Sequence, residues 1–196
     1  MPPRARMFRT PLLVIAGIVA STTSSQAWTV DGVPVCVALG NQFGHAAVAD
    51  GAGGVIIAWT DQRAAQPAVY LLRVGPGGGC SPGWPQDGLT VTSQSAGQSD
   101  PAVVSDGAGG AIVAWVDLRN AANTGADIYA QHIAADGTIA QGWPVDGLVL
   151  CQAPGRQGPP VSCGDGAGGA CLVWEDERGA DIDLYTQHVL DTGALG

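Results

Sequence analysis

The run DGAGGAIVAWVDLR, from Asp106 to Arg119, decides the reading of this chain because it recurs. DGAGGVIIAWTDQR spans Asp50 to Arg63, and DGAGGACLVWEDERG spans Asp165 to Gly179. A motif that returns at a regular interval marks a repeat array, in which each copy is one supersecondary unit that needs neighbours to cover it. Trp28, Trp84 and Trp143 open equivalent segments, WTVDG, WPQDG and WPVDG. They divide the chain into units at 28–83, 84–142 and 143–196.

Each part of the motif has a mechanical reading. The leading Asp106 accepts hydrogen bonds from the N–H groups of its own turn, and the glycines allow positive φ without a Cβ clash. Ala111-Ile112-Val113-Ala114 is a nearly continuous apolar run, as expected of a strand covered on both faces. Trp115 fills the gap between stacked units and shares a strand face with Asp117, two residues on. In the second unit this predicts four short strands: Gly88–Thr92, Pro101–Ser105, Ala111–Asp117 and Asp127–Ile133. No helical period persists, and β-branched and aromatic residues alternate with Gly, Asp and Asn breaks. The fold class is therefore all-β, with three four-stranded antiparallel units stacked like propeller blades. Closed rings take about four to eight blades. Three units predict an incomplete or open propeller, completed by a homo-oligomer or by additional blades from a longer chain.

Residues 1–27 read as a signal peptide: Arg4, Arg6 and Arg9, an apolar core from Leu12 to Ala20, then Ser25-Gln26-Ala27 as a cleavage site. The expected product is secreted, extracellular or periplasmic, with no membrane insertion. It carries five basic and 17 acidic residues, a net charge of −12, and no lysine. So acidic a chain lacks the cationic footprint that phosphate contacts require, which argues against nucleic-acid partners. All five cysteines follow the leader, where export permits disulfides. Cys163 and Cys171 flank the third DGAGG turn symmetrically and are expected to bond, provided they occupy the non-hydrogen-bonded register. Cys36 and Cys151 share one repeat position. The pairing of Cys36, Cys80 and Cys151 is left open.

Candidate chemistry is sparse. Asp61, Asp117 and Asp176 each precede an arginine by two, giving Asp61/Arg63, Asp117/Arg119 and Asp176/Arg178. A group repeated in every unit belongs to the scaffold or to a multivalent surface, so these pairs are either strand-end clamps or weak ligand sites along a rim. Glu175, Glu177, Asp181 and Asp183 crowd the third unit as a solvated acidic edge, without a recognised calcium spacing. His132 and His188 share a position held by Arg73 in the first unit, which predicts a solvent-facing cation. There is no nucleophile elbow, and DGAGG opens no helix as a phosphate-binding loop must. Trp28, Trp84 and Trp143 either stack on sugar rings or lock one unit to the next. Trp59, Trp115 and Trp174 should lie in the core.

PAVVSDGAGGAIVAWVDLR followed by ADIYAQHIAADGTIAQGWPVDG resembles tandem repeats of large secreted or cell-surface bacterial proteins, and it covers essentially all of residues 28–196. That resemblance implies propeller blades and an exported location. The order of a Pro-led strand, an Asp-Gly turn, an arginine and Asp127-Ile128-Tyr129 is more loosely similar to TolB-type propellers. Sialidase Asp-boxes are not matched, since Ser105 abuts Asp106 and Trp115 lies nine beyond it. The resulting expectation is an exported repeat module without catalysis, cofactor or metal, which binds an unknown protein or glycan ligand or plays a structural part. The alternative is a fragment of a larger secreted enzyme, such as a glycan-processing propeller.

Overall fold

The computed structural model describes residues 28–196, so the expected leader lies outside the described residues. Every regular element among them is a strand. Three antiparallel sheets of the blade kind follow one another along the chain, and no helix is long and apolar enough to cross a membrane. The first sheet orders β1 (Gln42–Ala49), β2 (Val55–Asp61), β3 (Ala68–Val74) and β4 (Leu89–Thr90). In the second, β5 (Gln98–Ser105), β6 (Ala111–Asp117), β7 (Asp127–Ile133) and β8 (Leu148–Cys151) are adjacent in that order. β9 (Val161–Gly164), β10 (Ala170–Asp176) and β11 (Asp183–Val189) form the third.

The sheets are offset by one strand from the sequence units. Leu89–Thr90 follows Trp84, at the head of the second unit, yet it pairs with β3 through Leu71↔Leu89 and Tyr70↔Thr90. Leu148–Cys151 likewise follows Trp143 and pairs with β7. The first strand expected in each unit is thus the last strand of the sheet before it. A short edge strand finds its partner on whichever sheet offers free N–H and C=O groups, and linear order does not reveal that. The same rule leaves the third sheet with three strands rather than four among the described residues.

Local chemistry sets the inner strands. β1 and β5 each carry a register shift, between Phe43 and Ala46 and between Ser99 and Ala102. Gly44 (φ 58°) and Asp100 (φ 54°) make those bulges. Pro159 stands at the equivalent place in the third unit. Its ring fixes φ near about −65°, and β9 is correspondingly cut to four residues.

Two hydrophobic clusters fill the gaps between sheets. Ile56, Ala58, Val69 and Leu71 meet Ala111, Val113 and Trp115 in the first gap. In the second, Ile112, Ala114, Ile128 and Ala130 meet Ala170, Leu172 and Trp174. β6 feeds alternate residues to both, as its continuous apolar run requires, and all seven of its residues are buried. Trp59, Trp115 and Trp174 are in the core as expected.

Cys163 and Cys171 do face each other across β9 and β10, and both are free thiols. Asp165 N–H donates to Gly169 O, so counting by two places Cys163 and Cys171 in the hydrogen-bonded register. There the Cβ atoms stand near about 5.5 Å, beyond the roughly 3.5–4.5 Å a disulfide spans. The expected bridge is corrected on that ground. Quantitative alkylation of the native protein should label exposed Cys163 first and buried Cys151 only on unfolding. Recovery of a peptide linked through Cys163 and Cys171 would overturn this assignment.

Candidate functional site

The Asp-x-Arg positions all end the middle strand of a sheet, and the same four-residue cluster is built on each. Strand alternation puts Trp115 and Asp117 on one face, so the indole Nε1 donates to Asp117 Oδ2 at 2.8 Å. Arg119 folds back on the same carboxylate, Nε to Oδ1 at 2.8 Å and Nη2 to Oδ2 at 2.7 Å, while its backbone N–H donates to Oδ1 at 2.9 Å. Its guanidinium carbon lies 3.9 Å from the centre of the Tyr129 ring. Trp59, Asp61, Arg63 and Tyr70 repeat the arrangement, as do Trp174, Asp176, Arg178 and Tyr185.

These carboxylates are already used. Asp61 is 1% exposed, and Asp117 and Asp176 are fully buried. Each accepts one hydrogen bond from its tryptophan and three from its arginine, which fills the capacity of an ionised carboxylate, and the Cys36 and Cys151 thiols add a longer contact to Asp61 and Asp176. Of the two readings left open by the sequence, the clamp is what the geometry supports; no carboxylate oxygen faces a rim. Burial pushes the Asp61 carboxyl up, but the hydrogen bonds from Arg63 and Trp59 outweigh it and hold the group below its ordinary value. Hydrogen bonds from Arg178 hold Asp176 well below the usual carboxylate range, despite its burial.

Further partners tie the arginines to their surroundings. Arg63 Nη2 donates to the carbonyl of Asp87 at 2.8 Å, and Arg119 Nη1 to that of Asp146 at 2.9 Å. Asp87 and Asp146 belong to the WPxDG segments that hand an edge strand to the preceding sheet. Arg63 and Arg178 also approach the sulfurs of Cys36 and Cys151, both at 3.1 Å. Burial raises both thiols above their ordinary value. This explains why Cys36 and Cys151 share a repeat position: each is a small side chain set beside a strand-end clamp, half-buried at Cys36 and buried at Cys151.

A second repeated pair was not foreseen. The turn aspartates do accept from their own N–H groups, Ala108 and Gly110 donating to Asp106 Oδ1 at 2.7 and 2.9 Å. The other oxygen crosses to the next strand, where His132 Nε2 lies 2.9 Å from Asp106 Oδ2. Arg73 meets Asp50 and His188 meets Asp165 in the same way. His132 is therefore buried against Asp106 and the Trp143 ring rather than facing solvent. The signal was available in the sequence: an arginine or histidine recurs opposite each turn aspartate.

The linker tryptophans lock sheets together. Trp84 and Trp143 are buried, their Nε1 atoms donating to Ala135 O at 2.9 Å and Asp191 O at 2.7 Å. Glu175, Glu177, Asp181 and Asp183 are exposed, and no group of three or more metal-ligating side chains converges among the described residues. An apolar cleft of about 400 Å³ lies on the outer face of the first sheet, lined by residues that include Val35, Phe43, His45 and Trp59.

No family model matches the chain, and no curated protein matches it. Among solved structures it is similar to an endo-arabinase from Bacteroides thetaiotaomicron VPI-5482, at 16% identity and a TM-score of 0.47 over 69% of this chain and 51% of that one. It is also similar to an α-L-arabinofuranosidase from Lactobacillus brevis, at 13% identity and a TM-score of 0.45 over 71% and 47%. The chain spans about half the length of these structures. Both are enzymes by name, and the expectation of a protein without catalysis is corrected by that finding.

Removing the charge from one clamp separates its parts. Asp117→Asn should leave an uncompensated guanidinium beside Tyr129 and cost about 3 kcal/mol in chemical denaturation. Asp176→Asn should cost less, because the Arg178 side chain is 32% exposed and water takes over part of the lost interaction. Equal losses would refute this ranking. Because Asp61 and Asp176 are depressed in the fold, the stability they add is present above the unfolded aspartate value of about 4 and is lost as pH falls below it. Thermal melts should therefore be flat from neutral to about pH 5 and drop steeply below about pH 4. A melting temperature unchanged down to about pH 2.5 would contradict the clamp.

Proposed function

We propose that this chain is a propeller-type repeat module of the cell exterior, whose assembled surface, not any one Asp-x-Arg pair, engages a glycan. The reading is supported by one observation above the rest: all three aspartates sit in the same filled clamp, so the repeated polar residues are used for construction. What the fold leaves available is the broader surface of the stacked sheets outside the joints between them. Processing of the glycan by a completed assembly is part of the same proposal, since holding a polysaccharide across several sheets precedes cutting it.

The test is retention of the purified chain on immobilised polysaccharides, arabinose polymers included, together with release of reducing sugar from the same panel. Retention on at least one polymer is the expected result. A chain that neither binds nor cleaves any member of the panel would remove the glycan from the proposal.

A further inference from the structure

The chain contains both halves of one more inter-sheet joint, and they lie at opposite ends of the stack. In the two joints already formed, a WPxDG segment supplies the edge strand: Leu89 pairs opposite Leu71, and Leu148 opposite Ala130. The segment beginning at Trp28 is the third copy, and its Val33 to Cys36 stretch pairs with no strand among the described residues. At the other end, β11 holds the place of β3 and β7, and its outer edge has no strand beside it.

The amino-terminal segment nevertheless already stands where its counterparts stand. Trp28 Nε1 donates to Pro76 O at 2.7 Å, as Trp84 does to Ala135 O and Trp143 to Asp191 O. Val37 N–H donates to Asp87 Oδ1 at 2.7 Å, as Ser93 N–H does to Asp146 Oδ1 at 3.2 Å. It is docked on its own sheet and presents a free edge away from it.

We propose that a second copy of this chain supplies the missing partner: Val33 to Cys36 of one copy adds to β11 of the other, reciprocally, closing six sheets into a two-chain ring. Six falls within the about four to eight blades that close, and one two-fold pairing satisfies both free ends of both chains.

The existing joints fix the details of the new one. Val33 lies opposite Thr186, and Pro34 opposite Tyr185. Pro34 fits because Val91 N–H is the one that donates to Val69 O; in a ladder of period two the N–H at the Thr90 position points away, so proline loses nothing there. Arg178, whose counterparts reach the carbonyls of Asp87 and Asp146, gains the carbonyl of Asp31. Leu184 is 75% exposed while its counterparts Val69 and Ile128 are fully buried, and it becomes covered. Glu175, in the place of the buried Thr60, keeps this joint more polar than the other two.

Glycine provides the decisive test. A Cβ on Gly88 would run into the Trp59 ring of the preceding sheet, and one on Gly147 would lie 2.8 Å from the Trp115 ring. Gly32, the third equivalent, has φ +86° and nothing within 4 Å, so its Cβ clashes only if Trp174 of another copy arrives. Asparagine tolerates that left-handed backbone. Light scattering on the purified full chain should give the mass of two chains. Gly32→Asn should reduce it to one chain with an unchanged far-ultraviolet spectrum, showing that the fold survives. Gly51→Asn, at an equally open glycine with φ +76°, should leave the pair intact. A single-chain mass for the unaltered protein, or a two-chain mass that persists in Gly32→Asn, would overturn the proposal. Neither result bears on glycan retention, which is measured separately.

Discussion

A buried aspartate at the end of each middle strand is the constraint on which this structure depends. Taking a carboxylate out of water is expensive unless its oxygens are all engaged. Here the cost is met locally by a tryptophan two residues before and an arginine two residues after. The result fixes three things at once: the indole is oriented into the gap between sheets, the arginine is laid flat on a tyrosine of the adjacent strand, and the chain is turned at the strand's end. Remove the carboxylate and each of these loses its reason for pointing where it does.

From that point the order passes outward. In the first two sheets the arginine, held by its own aspartate, reaches the backbone of the next WPxDG segment and so places the strand that finishes the sheet. The tryptophan of that segment then bonds to the turn beyond the following sheet's third strand. One polar network thus links two sheets, while the apolar clusters between them supply the bulk of the burial. The turn carboxylates do comparable work at the opposite end of each hairpin, where Asp106 holds both its own turn and His132.

Much of this was legible in the residues. The threefold recurrence gave the number of sheets, the spacing of Trp115 and Asp117 put them on one face, and the apolar run after DGAGG required cover on both sides. What was not legible depends on contacts between residues far apart in sequence. Nothing in GLTVT says that it completes the preceding sheet, because its pairing is decided by which edge is free. The Asp-x-Arg pairs looked equally suited to a rim or a clamp, since spacing does not report burial. His132 looked solvent-facing because its partner, Asp106, is 26 residues earlier. For Cys163 and Cys171, symmetry about a turn located them opposite each other, but the ladder's alternation decided whether their β-carbons came close.

The one-strand offset between repeat and sheet carries a consequence for how such chains lengthen. Because every seam between sheets is stitched by a segment lying inside the covalent repeat, a gene can gain or lose whole repeats by recombination at any point in the motif and still encode matching seams throughout. No new surface has to be invented for each added copy. Selection can then act on the number of repeats without first repairing the joints between them.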